Sequence, residues 1–124
     1  MRGEMQRVVP ALRVSSWQAS KKFYEQLGFR ENWTHQFEAG LPTFASMKCD
    51  GMEIFLTEHT GDCQFGGLVH FYVPDVDALH EDFMEYGVPV EQAPNNDIAP
   101  DMRTMSVLDP DRNRLKFITL THWE

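Results

Sequence analysis

A tandem repeat constrains most strongly what this chain can fold into. Val14 and Val73, Ser16 and Asp75, Ala19 and Ala78, Tyr24 and Phe83, and Gly28 and Gly87 match in kind, each pair 59 positions apart. Five matches at one spacing mark a duplicated unit rather than coincidence. In the first copy, the β-branched run Val8–Val14 reads as a strand and Ser15-Ser16 as a helix cap. Ala19, Phe23, Tyr24 and Leu27 then recur at the three- and four-residue spacing of one helical face, with Gly28 as the left-handed stop. Short runs at 29–36, 43–48 and 52–57 follow as strands, the last two joined by Asp50-Gly51, a type I′ hairpin signal. The second copy repeats the order: strand 68–73, a helix capped by Asp75 and carrying Val76, Leu79, Phe83 and Tyr86, then strands 88–93, 103–108 and 114–120. The stretch Asn95–Asp101 reads as a loop, and Asp109-Pro110-Asp111 as the last hairpin turn. A spacing of 61 is expected for the hairpins, which sets Asp50 on Asp111 and Phe55 on Lys116. The fold expected is α+β: two tandem βαβββ modules, about 7–62 and 67–121, whose curved mixed sheets form a cleft within one domain, 1–124. A unit of some 60 residues buries too little surface to stand alone, so the modules must pack on each other or on those of another chain.

Charge narrows the partners. Nineteen acidic against eleven basic residues give −8, which repels phosphate backbones and speaks against nucleic acid. The excess is uneven: residues 1–62 hold 7 basic and 8 acidic residues, residues 63–124 hold 4 and 11, so a cationic ligand is expected. No apolar run approaches the roughly 20 residues of a membrane span, and Met1–Arg7 has no apolar signal core; no membrane association and a cytoplasmic location are expected. Cys49 and Cys63 form no Cys-x-x-Cys pair and read as reduced structural residues.

Three segments carry a family resemblance: Phe23-Tyr24-Glu25-Gln26-Leu27-Gly28-Phe29, Val73-Pro74-Asp75-Val76-Asp77-Ala78-Leu79, and Asp109-Pro110-Asp111-Arg112-Asn113-Arg114-Leu115. Over nearly its whole length the chain resembles the glyoxalase/bleomycin resistance/dioxygenase group, the vicinal oxygen chelate superfamily. The segments 40–44 and 56–62 are similar to those of small bleomycin resistance-type proteins. The resemblance implies the glyoxalase/bleomycin resistance fold. It also implies, for the enzymes of the group, one divalent metal held by His, Gln or Glu on the first and fourth strands of each module. Carried through the motifs, those places are Val9, Phe55, Leu68 and Lys116; a shift by one residue gives Val8 or Pro10 and Ile54 or Phe117. None supplies a usable metal ligand. No metal, no cofactor and no catalytic residue are therefore expected.

The non-enzymatic members of the group sequester bleomycin-class drugs in an acidic, aromatic groove. By that resemblance Trp33, Phe37, Phe44, Phe55, His59, Phe65, His70 and Tyr72 are the candidate ligand-binding residues. Taken singly, Trp33, Phe44 and Phe55 alternate with polar neighbours as core residues also do; the cluster is what suggests a site. Glu58-His59 with His70 is the one carboxylate and imidazole group that could form a metal site of another kind, and such residues are more often ordinary polar ones. Lys116, inward by the repeat, either anchors an anion or snorkels to the rim, the second being commoner. One departure stands out: bleomycin binders carry Trp-Gly before the seventh strand, where this chain has Pro100-Asp101. Three functions remain open. The first is a bleomycin resistance-type protein that binds a cationic, partly aromatic drug such as a bleomycin-like glycopeptide without turnover. The second is a metal-dependent glyoxalase- or dioxygenase-like lyase or isomerase, and the third a binder of another small aromatic metabolite. A homodimer is expected, because exposed sheet edges favour pairing across subunits.

Overall fold

The structure is a computed structural model and describes residues 6–121. Its elements are β1 (Ala11–Arg13), α1 (Trp17–Leu27), β2 (Arg30–His35), β3 (Phe44–Cys49), β4 (Met52–Thr57), β5 (Leu68–Tyr72), α2 (Val76–Glu85), β6 (Val90–Ala99), β7 (Met102–Leu108) and β8 (Arg114–Leu120). They form two four-stranded mixed sheets, ordered β1-β4-β3-β2 and β5-β8-β7-β6, with the first strand of each module parallel to its fourth.

The repeated residues do repeated work. Ser16 and Asp75 each sit in extended backbone and accept from the amide three residues on, Ala19 and Ala78 respectively, satisfying one orphan donor of each helix. Gly28 ends α1 at φ 108° and Gly87 follows α2 at φ 75°, a region that Gly enters without strain. Asp50 and Gly51, at φ 48° and 82°, make the turn expected of that pair. The register refines the repeat. Ala11 opposes Phe55 and His70 opposes Lys116, while Ser46 opposes Phe55 and Ser106 opposes Lys116. The third strands are thus related by 60 positions rather than 61; one added residue precedes β7 and another lies in the β7–β8 turn, which Arg112 completes at φ 65°.

Two expectations are corrected. β1 covers only Ala11–Arg13 of the run read as a strand, because Pro10 has no N–H to give the ladder, although its carbonyl still accepts from Phe55 N at 2.8 Å. The stretch read as a loop, Asn95–Asp101, is mostly β6, which continues to Ala99 through three register shifts. An edge strand tolerates Pro94, and the amides that suggested a loop instead bond the bulged backbone: Asn95 Oδ1 accepts from Asp97 N, and Asn96 Nδ2 donates to the carbonyls of Pro100 and Met102.

One core serves both modules. Phe23, Tyr24 and Leu27 of α1 share it with Ala45, Met47, Ile54 and Leu56, and Phe83 of α2, edge-on to Phe117 at 5.3 Å, shares it with Met105, Val107 and Leu115. The halves join through Phe29 and Phe71, whose ring centroids lie 5.9 Å apart. A buried polar clasp adds direction: Tyr24 OH donates to Asp109 Oδ2 at 2.8 Å, and Asn113 Nδ2 donates to the same oxygen and to Arg13 O, each at 2.9 Å. Burial chiefly, and Asp109 after it, pushes the Tyr24 phenol well above its usual range, so the hydroxyl stays a donor. At the matching junction on the other side Phe83 stands in place of Tyr24. A cavity of about 300 Å³ lies there, lined in part by Cys49, Asp50, Leu79 and Phe83.

Candidate functional site

With Ala45, Met47, Ile54 and Leu56 turned into the core, period-two alternation sends their neighbours to the helix-free face of the first sheet. Cross-strand pairing then sets Ala11, Phe55, Ser46 and Trp33 in one row, and Arg13, Thr57, Phe44 and His35 in the next. Three candidate residues converge there. Trp33 stacks on Phe44 at 5.9 Å between centroids with 13° between planes, Trp33 lies 5.5 Å from Phe55, and Phe44 lies 5.2 Å from Phe55. Trp33 keeps 40% of its surface exposed, so one ring edge of the cluster remains open to a ligand.

The other five candidates lie outside this contact. Phe37 lies in the β2–β3 connection, 75% exposed, edge-on to His35 at 5.0 Å. Phe65, in the β4–β5 connection, carries the Arg13 guanidinium over its ring at 4.4 Å, a cation–π contact. His70 and Tyr72 project from β5 on one side, their rings 6.5 Å apart. His59 follows β4, where its amide donates to Thr57 Oγ1 at 3.1 Å. Its neighbour Glu58 is engaged with backbone: Oε2 accepts from Trp17 N at 2.7 Å and Oε1 from Thr43 N at 2.8 Å. The carboxylate thereby holds the start of α1 beside β3. Among the described residues no three His, Cys, Asp or Glu side chains come together as a metal group.

Between the sheets, a cavity of about 390 Å³ is lined by Val8, Pro10, Glu53, His70 and Tyr72. It brings the start of β4, two residues from Phe55, and the exposed side of β5 to one space, and its volume lies in the range of small-molecule sites.

The polar residues beside the rings escaped sequence reasoning. Ser46 Oγ donates to Glu53 Oε2 at 2.5 Å, Asn32 Nδ2 donates to Ser46 Oγ at 3.2 Å, and Arg7 pairs with Glu53. On the second sheet Ser106 Oγ donates to Glu91 Oε1 at 2.8 Å, while Arg114 grips both Glu91 oxygens at 2.9 Å. The Arg114 guanidinium first, and the Ser106 hydroxyl after it, hold the Glu91 carboxyl down at about 2. The Asp50-Gly51 turn alone was a usable signal for the first set, because a two-residue hairpin fixes Ser46 diagonal to Glu53. Arg13 half-buries its side chain, and its Nε has no hydrogen-bond partner among the described residues.

Compared with known families, residues 2–123 match the model of the glyoxalase superfamily proteins. The chain belongs to the glyoxalase superfamily. No curated protein matches it. Among solved structures, a bleomycin-binding protein complexed with bleomycin is similar at 17% identity and a TM-score of 0.72, over 93% of this chain and 98% of that one. A bleomycin resistance determinant encoded on transposon Tn5 is similar at 17% identity and a TM-score of 0.73, over 94% and 98%. A putative glyoxalase family protein from Bacillus anthracis gives 22% and 0.68, over 97% and 99%. These likenesses establish the glyoxalase/bleomycin resistance fold.

The metal that glyoxalase superfamily enzymes hold can be tested against the places carried over above. Val9 and Leu68 offer hydrocarbon, Phe55 offers a ring already packed on Trp33 and Phe44, and Lys116 offers an ammonium. The one-residue alternatives Ile54 and Phe117 are buried in the core, which excludes a one-residue shift on β4 and β8. His70, two residues beyond Leu68 and opposite Lys116, is an imidazole in the same row, and one donor does not make a chelate. The residues present do not fit the metal.

Proposed function

We propose that this glyoxalase superfamily chain is a metal-independent binding protein of the bleomycin-resistance kind, one domain of two modules that holds a partly aromatic small molecule and returns it unchanged. The observation that carries this reading is the Trp33–Phe44–Phe55 contact, because Phe55 fills with an aromatic ring a place where a metal-dependent member needs a donor. A flat ligand gains stacking on such a face and no activation from it. Phe37, His59, Phe65, His70 and Tyr72 complete the groove in this proposal.

The −8 charge draws a cation at long range, in line with a cationic drug. At short range Glu53 of the first sheet and Glu91 of the second already meet arginines. The Pro100-Asp101 turn favours a second reading, another aromatic metabolite in place of bleomycin: Pro100 O and Asp101 O close that turn by accepting from Asn96 Nδ2 and Thr121 N. Homodimerisation is part of the proposal. The edge strand β2 has all six residues exposed, Trp33 among them, and a partner strand or sheet would cover it. The proposed compartment is the cytoplasm, where the free thiols Cys49 and Cys63 stay reduced.

Calorimetric titration of bleomycin into the parent and into Trp33→Ala, with mass analysis of the recovered ligand, tests the reading. Binding weakened by the substitution with intact ligand recovered supports it. Absence of bleomycin binding moves the function to another aromatic ligand, and protein-dependent chemical change in the ligand overturns a binding-only role.

A further inference from the structure

Of the four places where superfamily enzymes carry metal ligands, one holds a cation in this chain. Lys116 of β8 is opposed by His70 of β5 on one side and by Ser106 of β7 on the other, so the three form one row on the helix-free face of the second sheet. Glu91, the carboxylate joined to that row through Ser106, is gripped by Arg114 through both oxygens and makes no ion pair with Lys116. On the first sheet, Glu53 is likewise engaged by Arg7 and Ser46. Asp62 accepts from Thr57 Oγ1 at 2.7 Å and forms no ion pair with Arg13 among the described residues. The helix-free faces thus include Lys116 and Arg13, neither of which has a carboxylate partner among the described residues. The local sign is opposite to that of the whole chain, whose acidic excess in the second half includes Asp77, Glu81, Asp82 and Glu85 on α2.

Lys116 is half-buried as a residue, and an oxyanion placed against its ammonium meets up to three donors. A cavity reaches this row at His70, the strand neighbour of Lys116, which lines it together with Tyr72, Pro10 and Glu53. We infer that Lys116, with His70 beside it, is the subsite for an oxyanion, a carboxylate or a phosphate ester, carried by the same ligand whose ring stacks on Trp33, Phe44 and Phe55. The inference rests on the aromatic-binding reading above and adds the polar group that reading leaves open.

Three probes with one ring system separate the two statements: 2-naphthoate, 2-naphthyl phosphate and the uncharged 2-naphthamide, titrated calorimetrically into the full chain. Aromatic binding alone predicts that all three bind alike. The oxyanion subsite predicts that at least one acid binds about tenfold tighter than the amide, as for a charge-assisted hydrogen bond, and which acid gains identifies the group. Lys116→Met should erase the acid preference, while Lys116→Arg should retain it. An unchanged thermal midpoint reports that each variant is folded. Equal affinity for acid and amide in the parent, or an acid preference that survives Lys116→Met, overturns the oxyanion subsite and leaves the aromatic reading intact. Failure of all three probes to bind overturns both.

Discussion

Replacing Tyr24 with Phe isolates the clasp between the modules. The Asp109 carboxylate accepts four hydrogen bonds: from Tyr24 OH at 2.8 Å, and from Asn113 Nδ2, Asn113 N and Asp111 N at 2.9 Å each. The substitution deletes one of them and preserves ring shape, and Phe83 already serves at the corresponding position of the second module. Tyr24 is fully buried and Asp109 nearly so, so no water readily replaces the lost donor. A hydrogen bond to a charged group contributes about 1.5–3 kcal/mol. The three remaining donors continue to hold the carboxylate, which argues for the middle of that range, about 2 kcal/mol. For a chain of 124 residues this corresponds to a Tm lowered by roughly 8 °C. Urea denaturation should show a lower midpoint with an unchanged slope, since the buried surface is the same. A loss below about 0.5 kcal/mol would show that the clasp is already open to water in solution, and would refute the claim that it holds the modules together.

Other outcomes follow from the same contacts. Trp33→Ala should weaken binding of a flat aromatic ligand about fivefold with little loss of stability, measured by calorimetry. Glu91 is lowered from 4.5 to about 2, so its contribution to stability is complete above about 4.5 and lost as pH falls towards 2. Because the pair with Arg114 is solvent-exposed, Glu91→Gln should flatten the acid limb of the stability curve by only about 0.5 kcal/mol, read by urea titrations across that window. A Cβ at Gly67 would approach Leu12 Cδ2 to 2.9 Å and Asn113 Oδ1 to 3.3 Å, so Gly67→Ala should cost about 1–2 kcal/mol in thermal unfolding. Sedimentation should give twice 14.4 kDa at micromolar concentration, and a species of 14.4 kDa would count against the dimer.

The repeat was legible because its markers act locally. Ser16, Gly28, Asp75 and the Asp50-Gly51 pair each determine backbone geometry within a few residues, and each does so in the structure. β6 was misread because proline and amides mark loops when the partner strand is unseen; pairing with β7 and side-chain bonds from Asn95 and Asn96 keep it extended. Within the candidate site, alternation and strand order brought Trp33, Phe44 and Phe55 within reach of one another. The clasp of Tyr24 with Asp109 joins residues 85 positions apart, and Arg13 meets Phe65 across the β4–β5 connection. Such contacts depend on how the modules dock, which no local pattern encodes. Charge was legible only as a sum: the net −8 is a property of the chain, whereas a ligand meets the particular carboxylates and arginines beside it.

The most direct test of the central claim is chemical-shift mapping of the isotopically labelled protein during titration with 2-naphthoate. Ligand held on the helix-free faces predicts saturable shifts at the Trp33 indole and along β3 and β4 at Phe44 and Phe55, with His70 and Lys116 moving in the same titration, and naphthoate recovered unchanged. Shifts confined to the cavity beside Cys49, Leu79 and Phe83, with Trp33 and Phe55 unmoved, would contradict it.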